Sequence, residues 1–257
     1  MKKGFTLAEV LITLAVIGIV AAITIPSIIT KIQNHQFYTQ FMKAYNTLSK
    51  VIQIIPQENF DYKYISKLCG TYNFSCIYPK IFGGYFNIQE SCFEDQECYI
   101  KYNNSIYKFL DIPLDDNPGF YQEIPGIDGT RAMYTLSDNM FLGITCDNGG
   151  CNFLVDTNGI KKGPNTMGRD IFPFVTLKVD GVQRVFPWGL NKCKANDDGE
   201  YFLREVIYYP VKCVSLMPIS LDEIINDDTY SCSVGSGMGS EGLVCGARLL
   251  LEGKMNY

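Results

Sequence analysis

One acidic side chain, Glu9, stands inside an otherwise apolar stretch: between Phe5 and Ile29 the only other polar side chains are Thr6, Thr13, Thr24 and Ser27. A carboxylate in a lipid-spanning helix costs a few kcal/mol when unpaired, so a function is its default reading and a cation its expected partner. Other chemistry is sparse. The chain has a single histidine, His35, which leaves no basis for a multi-histidine metal site or a histidine-based triad and reads as a solvated surface residue. The adjacent acids Asp115-Asp116, Asp197-Asp198 and Asp227-Asp228 sit in polar stretches and read as solvated turns. The segment Asp156-Thr157-Asn158-Gly159-Ile160 begins like a calcium loop, but Ile160 stands where a third oxygen ligand is wanted and Met167 where the closing glutamate is wanted. Its glycines, Pro164 and Asx residues suit tight turns whose side chains cap their own backbone. No cysteines form a CxxC arrangement, which argues against a zinc ribbon or a thioredoxin-like centre. No catalytic, cofactor-binding or metal-ligating residue is therefore assigned.

The element that must carry Glu9 is a helix. Roughly 20 helical residues rising about 1.5 Å each span a bilayer core of about 30 Å, and the run from Phe5 to Ile29 is long enough. Lys2 and Lys3 precede it and Lys31 is the next cation, so the positive-inside tendency places the N-terminus in the cytoplasm and exports the rest. The charge is split accordingly. The first 57 residues hold five lysines and one acid; the chain totals of 22 basic and 27 acidic residues then leave 17 and 26 beyond them, a balance of −9 against −5 for the whole. All ten cysteines also lie beyond position 57, as expected of a body in an oxidising compartment. A charged fraction of 19% with seventeen Tyr and sixteen Phe argues against disorder, and the acidic balance gives no reason to expect nucleic-acid binding.

Three readings compete for the apolar run. A secretory signal peptide has an apolar region of about 7–15 residues and then a small-residue cleavage site; Ala21-Ala22 mimics one, but apolar residues continue to Ile29. A plain anchor fits the length and leaves Glu9 unexplained. The third reading comes from the full N-terminus, Lys2-Lys3-Gly4-Phe5-Thr6-Leu7-Ala8-Glu9-Val10-Leu11, which closely resembles the prepilin-type cleavage and methylation motif of type IV pilins and type II secretion pseudopilins. The resemblance implies a leader, residues 1–4, removed by a membrane-embedded prepilin peptidase between Gly4 and Phe5, where a residue without a side chain suits a narrow cleft. It implies N-methylation of the new Phe5 amine and a Glu9 carboxylate that pairs with the N-terminus of a neighbouring subunit during assembly. Pro26, inside the run, matches a proline common in the family, where the helix bends or melts in filaments; alternatively it marks the end of the membrane helix. Gly18 reads as a helix-packing residue. The implied partners are the prepilin peptidase, other pilin or pseudopilin subunits, an inner-membrane assembly platform and the membrane itself, with no nucleic acid and no cofactor.

Beyond Pro26, Phe41, Tyr45, Leu48, Ile52 and Ile55 form one apolar stripe at alternating spacings of four and three, and Pro56 ends it. The predicted organisation is a transmembrane and stalk helix over 5–57 and an exported head over 58–257 made of strands and loops. Asp180-Gly181 between alternating runs predicts a tight hairpin, and Ser137-Asp138-Asn139 a second one. The fold class is α+β, a long N-terminal helix packed on an antiparallel sheet and stapled by disulfides. Spacing suggests Cys69 with Cys76, Cys92 with Cys98, Cys146 with Cys151, Cys232 with Cys245, and Cys193 with Cys213, although connectivity does not follow from spacing. The loop from Asp156 to Asp170 and the tail after Ala247 also resemble recurrent features of pilin-like heads, and the tail is expected to be a last sheet strand with a polar cap. The function so implied is a structural, non-enzymatic subunit, single-pass in the inner membrane and then part of a pilus or pseudopilus. An adhesin or DNA-uptake pilin and a membrane-anchored exported enzyme are the alternatives.

Overall fold

A computed structural model describes residues 4, 6–60, 62–94, 131–147, 150–195, 200–202, 213–226, 232 and 242–257. Helix α1, Leu7–Ile54, runs for 48 residues, about 72 Å of rise. It passes through Pro26 without ending. The two halves of α1 face different surroundings. From Leu7 to Ile32 its large apolar side chains are 42–78% exposed, whereas Phe41, Ala44, Leu48, Val51 and Ile52 are buried against the head. Of these, Ala44 and Val51 widen the stripe beyond the positions read from spacing.

The head begins with a short 3-10 turn, Gln57–Phe60, and two helices, α2 (Tyr62–Cys69) and α3 (Phe74–Phe82). Neither helix is expected from the strand-and-loop reading of the sequence. The signal for α3 is present: Phe74, Ile77, Tyr78, Ile81 and Phe82 recur at helical spacing and all are buried. Pro79 masks it, because a proline reads as a breaker. Six strands follow as an antiparallel meander in chain order: β1 (Ile88–Phe93), β2 (Ala132–Leu136), β3 (Phe141–Asp147), β4 (Gly150–Asp156), β5 (Ile171–Val179) and β6 (Val182–Pro187). A second sheet pairs β7 (Asn191–Ala195) with β8 (Glu200–Phe202) on one side and β9 (Cys213–Pro218) on the other. Both expected hairpins form. Asp180 and Gly181 adopt φ of 52° and 81°, the left-handed pair a two-residue turn requires, and Val179 faces Val182 across it. The second turn places Asn139 at φ 68° and lets Asp138 accept from the Met140 N–H.

The tail corrects the sequence reading. It is helix α5, Cys245–Glu252, preceded by the short helix α4, Leu221–Asn226. Ala, Arg and Leu are strong helix formers with no β-branching, and Gly253 at φ 70° terminates the helix in the left-handed conformation. The disulfide Cys232–Cys245 and the bond from Arg248 to the Cys232 carbonyl tie its first turns down. Cys69–Cys76 and Cys146–Cys151 are also bridged, and Cys92 is disulfide-bonded. Cys98 and the side chains of Cys193 and Cys213 lie outside the described residues.

The stalk is fastened to the sheet by aromatic packing. The Phe41 ring lies 4.8 Å from that of Phe172 edge-on and 5.8 Å from that of Phe174 in a stacked arrangement, both on β5. Helix α5 closes on the same ring: a Cβ at Gly246 would stand 3.1 Å from Phe41 Cε2. Phe41→Ala should therefore destabilise the protein by about 3–5 kcal/mol, since three elements would have to collapse into one void. Chemical denaturation followed by near-ultraviolet dichroism measures this. A loss below about 1 kcal/mol would mean that the stalk contributes little to the head's stability.

Candidate functional site

The site read from sequence lies at the start of α1. Thr6 is the N-cap, with extended φ and ψ of −78° and 153°, and its hydroxyl accepts from the Glu9 N–H at 3.3 Å. Glu9 reaches back so that one oxygen, Oε2, accepts from both the Thr6 N–H and the Thr6 hydroxyl, each at 2.8 Å. This reciprocal capping box satisfies donors that the first helical turn would otherwise leave open. It also turns the carboxylate toward the chain's N-terminus and leaves Oε1 without a hydrogen bond among the described residues. A subunit on its own can thus shelter the charge of Glu9, and a second donor can still approach it.

Gly4 is exposed, and a Cβ there would meet nothing within 4 Å. The fold places no steric demand for glycine at this position, so any demand comes from a partner that handles the segment. The same holds for Gly18, whose surroundings are equally open. Phe5, the expected new N-terminus, lies outside the described residues.

The second feature singled out in the sequence, the loop from Asp156 to Asp170, connects β4 to β5 and is built on its two carboxylates. Asp156 Oδ1 accepts from the N–H groups of Asn158 at 3.2 Å and Gly159 at 2.8 Å. Asp170 accepts from the N–H groups of Thr166 at 2.6 Å and Asn165 at 2.8 Å, and from the Asn158 side-chain amide at 3.2 Å. Both aspartates are at most 1% exposed, which closes them to any substrate in solution. Burial and the neighbouring Asp170 charge push the Asp156 carboxyl up to about 7; Asp170 is raised too, by burial, against the pull of its donors. Among the described residues no group of three or more His, Cys, Asp or Glu is placed to hold a metal ion. The two carboxylates fix the loop backbone between two core strands. His35 is exposed on α1, as read from sequence. Asp115-Asp116, Asp197-Asp198 and Asp227-Asp228 lie outside the described residues.

Residues 1–25 match the family model for the prokaryotic N-terminal methylation motif. No significant match is found among curated proteins or solved structures. The chain therefore carries the signature of type IV pilins and pseudopilins at its N-terminus, on a pilin-like α+β architecture in which an apolar helix long enough to cross a membrane leads into an antiparallel sheet.

Proposed function

We propose that this chain is a structural subunit of a type IV pilus or a type II secretion pseudopilus, processed by prepilin peptidase and polymerised through its N-terminal helix. The observation that carries the reading is Glu9 capping the first turn of an apolar helix whose outer half the head leaves bare. More than a dozen large apolar side chains from Leu7 to Ile32 stand exposed. Burying each such side chain is worth about 1.5–3 kcal/mol, so together they demand lipid or other helices. Lipid serves first, while the subunit waits in the inner membrane with its head exported; helices of other subunits serve later, in the filament core. The small residue Gly18, unneeded by the isolated chain, suits close helix contact in that core. The head, about 200 residues with a charge of −9, is large for a subunit whose only task is repetition, which favours a specialised place in the filament.

Processing supplies the test. In cells lacking prepilin peptidase the chain should keep Met1 to Gly4 and stay out of the filament fraction. In wild-type cells, mass spectrometry of the mature N-terminus should find N-methylated Phe5. An N-terminus cut after Ala22, or an uncut chain in intact filaments, would overturn the proposal.

A further inference from the structure

Where α1 leaves the apolar run it borders a cavity of about 570 Å³. One wall is the stalk, with Thr30, Lys31, His35 and Tyr38; the other is the tail from Gly253 to Tyr257, with Lys254; Arg169 enters from the β4–β5 loop. The walls are fixed. The Asn34 amide donates to the Met255 carbonyl at 3.3 Å, and the Tyr257 hydroxyl donates to the Gly168 carbonyl at 2.9 Å. The Arg169 N–H donates to the Thr166 carbonyl at 3.0 Å, and the Thr166 N–H in turn donates to Asp170.

The charges at this cavity are unbalanced. Lys31, Arg169 and Lys254 carry fixed positive charge and His35 adds a fourth nitrogen base, yet none of the four forms an ion pair among the described residues. Glu252, next to Gly253, is taken by Arg248 and by the Asn256 amide.

Position identifies the anion. From Leu7 to Ile29 the helix rises about 34 Å, which fills a hydrocarbon core of about 30 Å and leaves the next turns in the polar layer. Thr30 to Tyr38 then lie at headgroup depth, with an aromatic ring where membrane proteins concentrate them. The geometry points to a binding site for the phosphate of an anionic phospholipid headgroup, occupied while the subunit resides in the membrane. This rests on the membrane residence proposed above. Bound lipid would set the depth of the stalk and hold the head against the bilayer, and extraction into a filament would have to release it.

The test places the full-length chain in nanodiscs of phosphatidylcholine alone or of an equal mixture with phosphatidylglycerol. After mild detergent extraction, native mass spectrometry reads which lipids stay bound. The wild-type chain should retain phosphatidylglycerol. Each cation near a lipid surface is worth about fivefold in affinity, so Lys31→Gln/Arg169→Gln/Lys254→Gln should retain it about 100-fold less, and the exposed pair Lys31→Gln/Lys254→Gln about 25-fold less. Lys161→Gln/Lys162→Gln/Lys178→Gln, with the same loss of charge away from the cavity, should behave as wild type. Equal retention by the triple cavity variant, or equal loss in the control, would overturn the site. Protection of Lys254 from acylation in phosphatidylcholine discs by inorganic phosphate alone, to the degree that phosphatidylglycerol gives, would overturn the lipid in favour of the free ion. A chain that enters discs without preferring phosphatidylglycerol refutes the cavity assignment and leaves the membrane reading standing. One that fails to enter any disc refutes both.

Discussion

A Glu9→Val chain is expected to accumulate in the membrane at the wild-type level and to be missing from filaments. The helix survives because the valine deletes only a capping interaction worth about 1 kcal/mol at the end of a 48-residue helix. The apolar run becomes more apolar, so insertion is not impaired. Assembly is different. In the proposed filament core the N-terminal amine of an incoming subunit would leave water, and without a carboxylate to meet it the buried charge would cost about 3–5 kcal/mol, a hundredfold or more in incorporation. Glu9→Gln separates the two roles, since an amide oxygen still accepts from the Thr6 N–H but carries no charge. Its helix start should be intact and its incorporation still low. Filament fractions probed for each variant alongside wild type give the ratio. Normal incorporation of both would remove Glu9 from the assembly mechanism.

The N-terminal half of this picture is legible in sequence because its constraints are chemical and local. An acid in an apolar run, a glycine before an aromatic and a long hydrophobic stretch each have few interpretations, and Asp180-Gly181 states its own backbone conformation. The head is less legible where burial overrides local signals. β5 is buried at every position from Ile171 to Thr176, so the alternation that marks a half-exposed strand is lost. The tail is helical because Gly253 and the leucines agree with each other, although a family likeness favours a strand. What no spacing reveals is the cavity beside Lys31: its nitrogen-bearing side chains come from positions 31, 35, 169 and 254, brought together only when the tail docks on the stalk. The carboxylate-bound donors of the β4–β5 loop are hidden in the same way, since turn-forming residues say that a chain turns and not which carboxylate it turns around.

That loop gives the second large effect. Asp170→Ala would strip the acceptor from two backbone N–H groups and one side-chain amide in a partly buried loop. A buried unsatisfied donor costs about 1–3 kcal/mol and a part-buried one less, so a loss of about 3 kcal/mol is expected, with Arg169 displaced along with the loop. Asp156→Asn should act in the opposite direction at neutral pH. The carboxyl of Asp156 sits near 7 in the folded protein against 3.8 in the unfolded chain. The folded state therefore binds more protons than the unfolded state between those values, and its stability falls as pH rises from about 4 to about 7. Asparagine keeps an oxygen for the Asn158 and Gly159 N–H groups and replaces Oδ2, which has no hydrogen-bond partner, with a neutral amide. The variant should gain roughly 2–4 kcal/mol at pH 8 relative to wild type, lose that advantage near pH 4, and show a flatter pH profile between them. Denaturation of the full chain in detergent across this range measures both variants. A wild-type protein whose stability rises from pH 4 to pH 8 by an amount that Asp156→Asn does not change would show that the buried pair is not what the loop's energetics depend on.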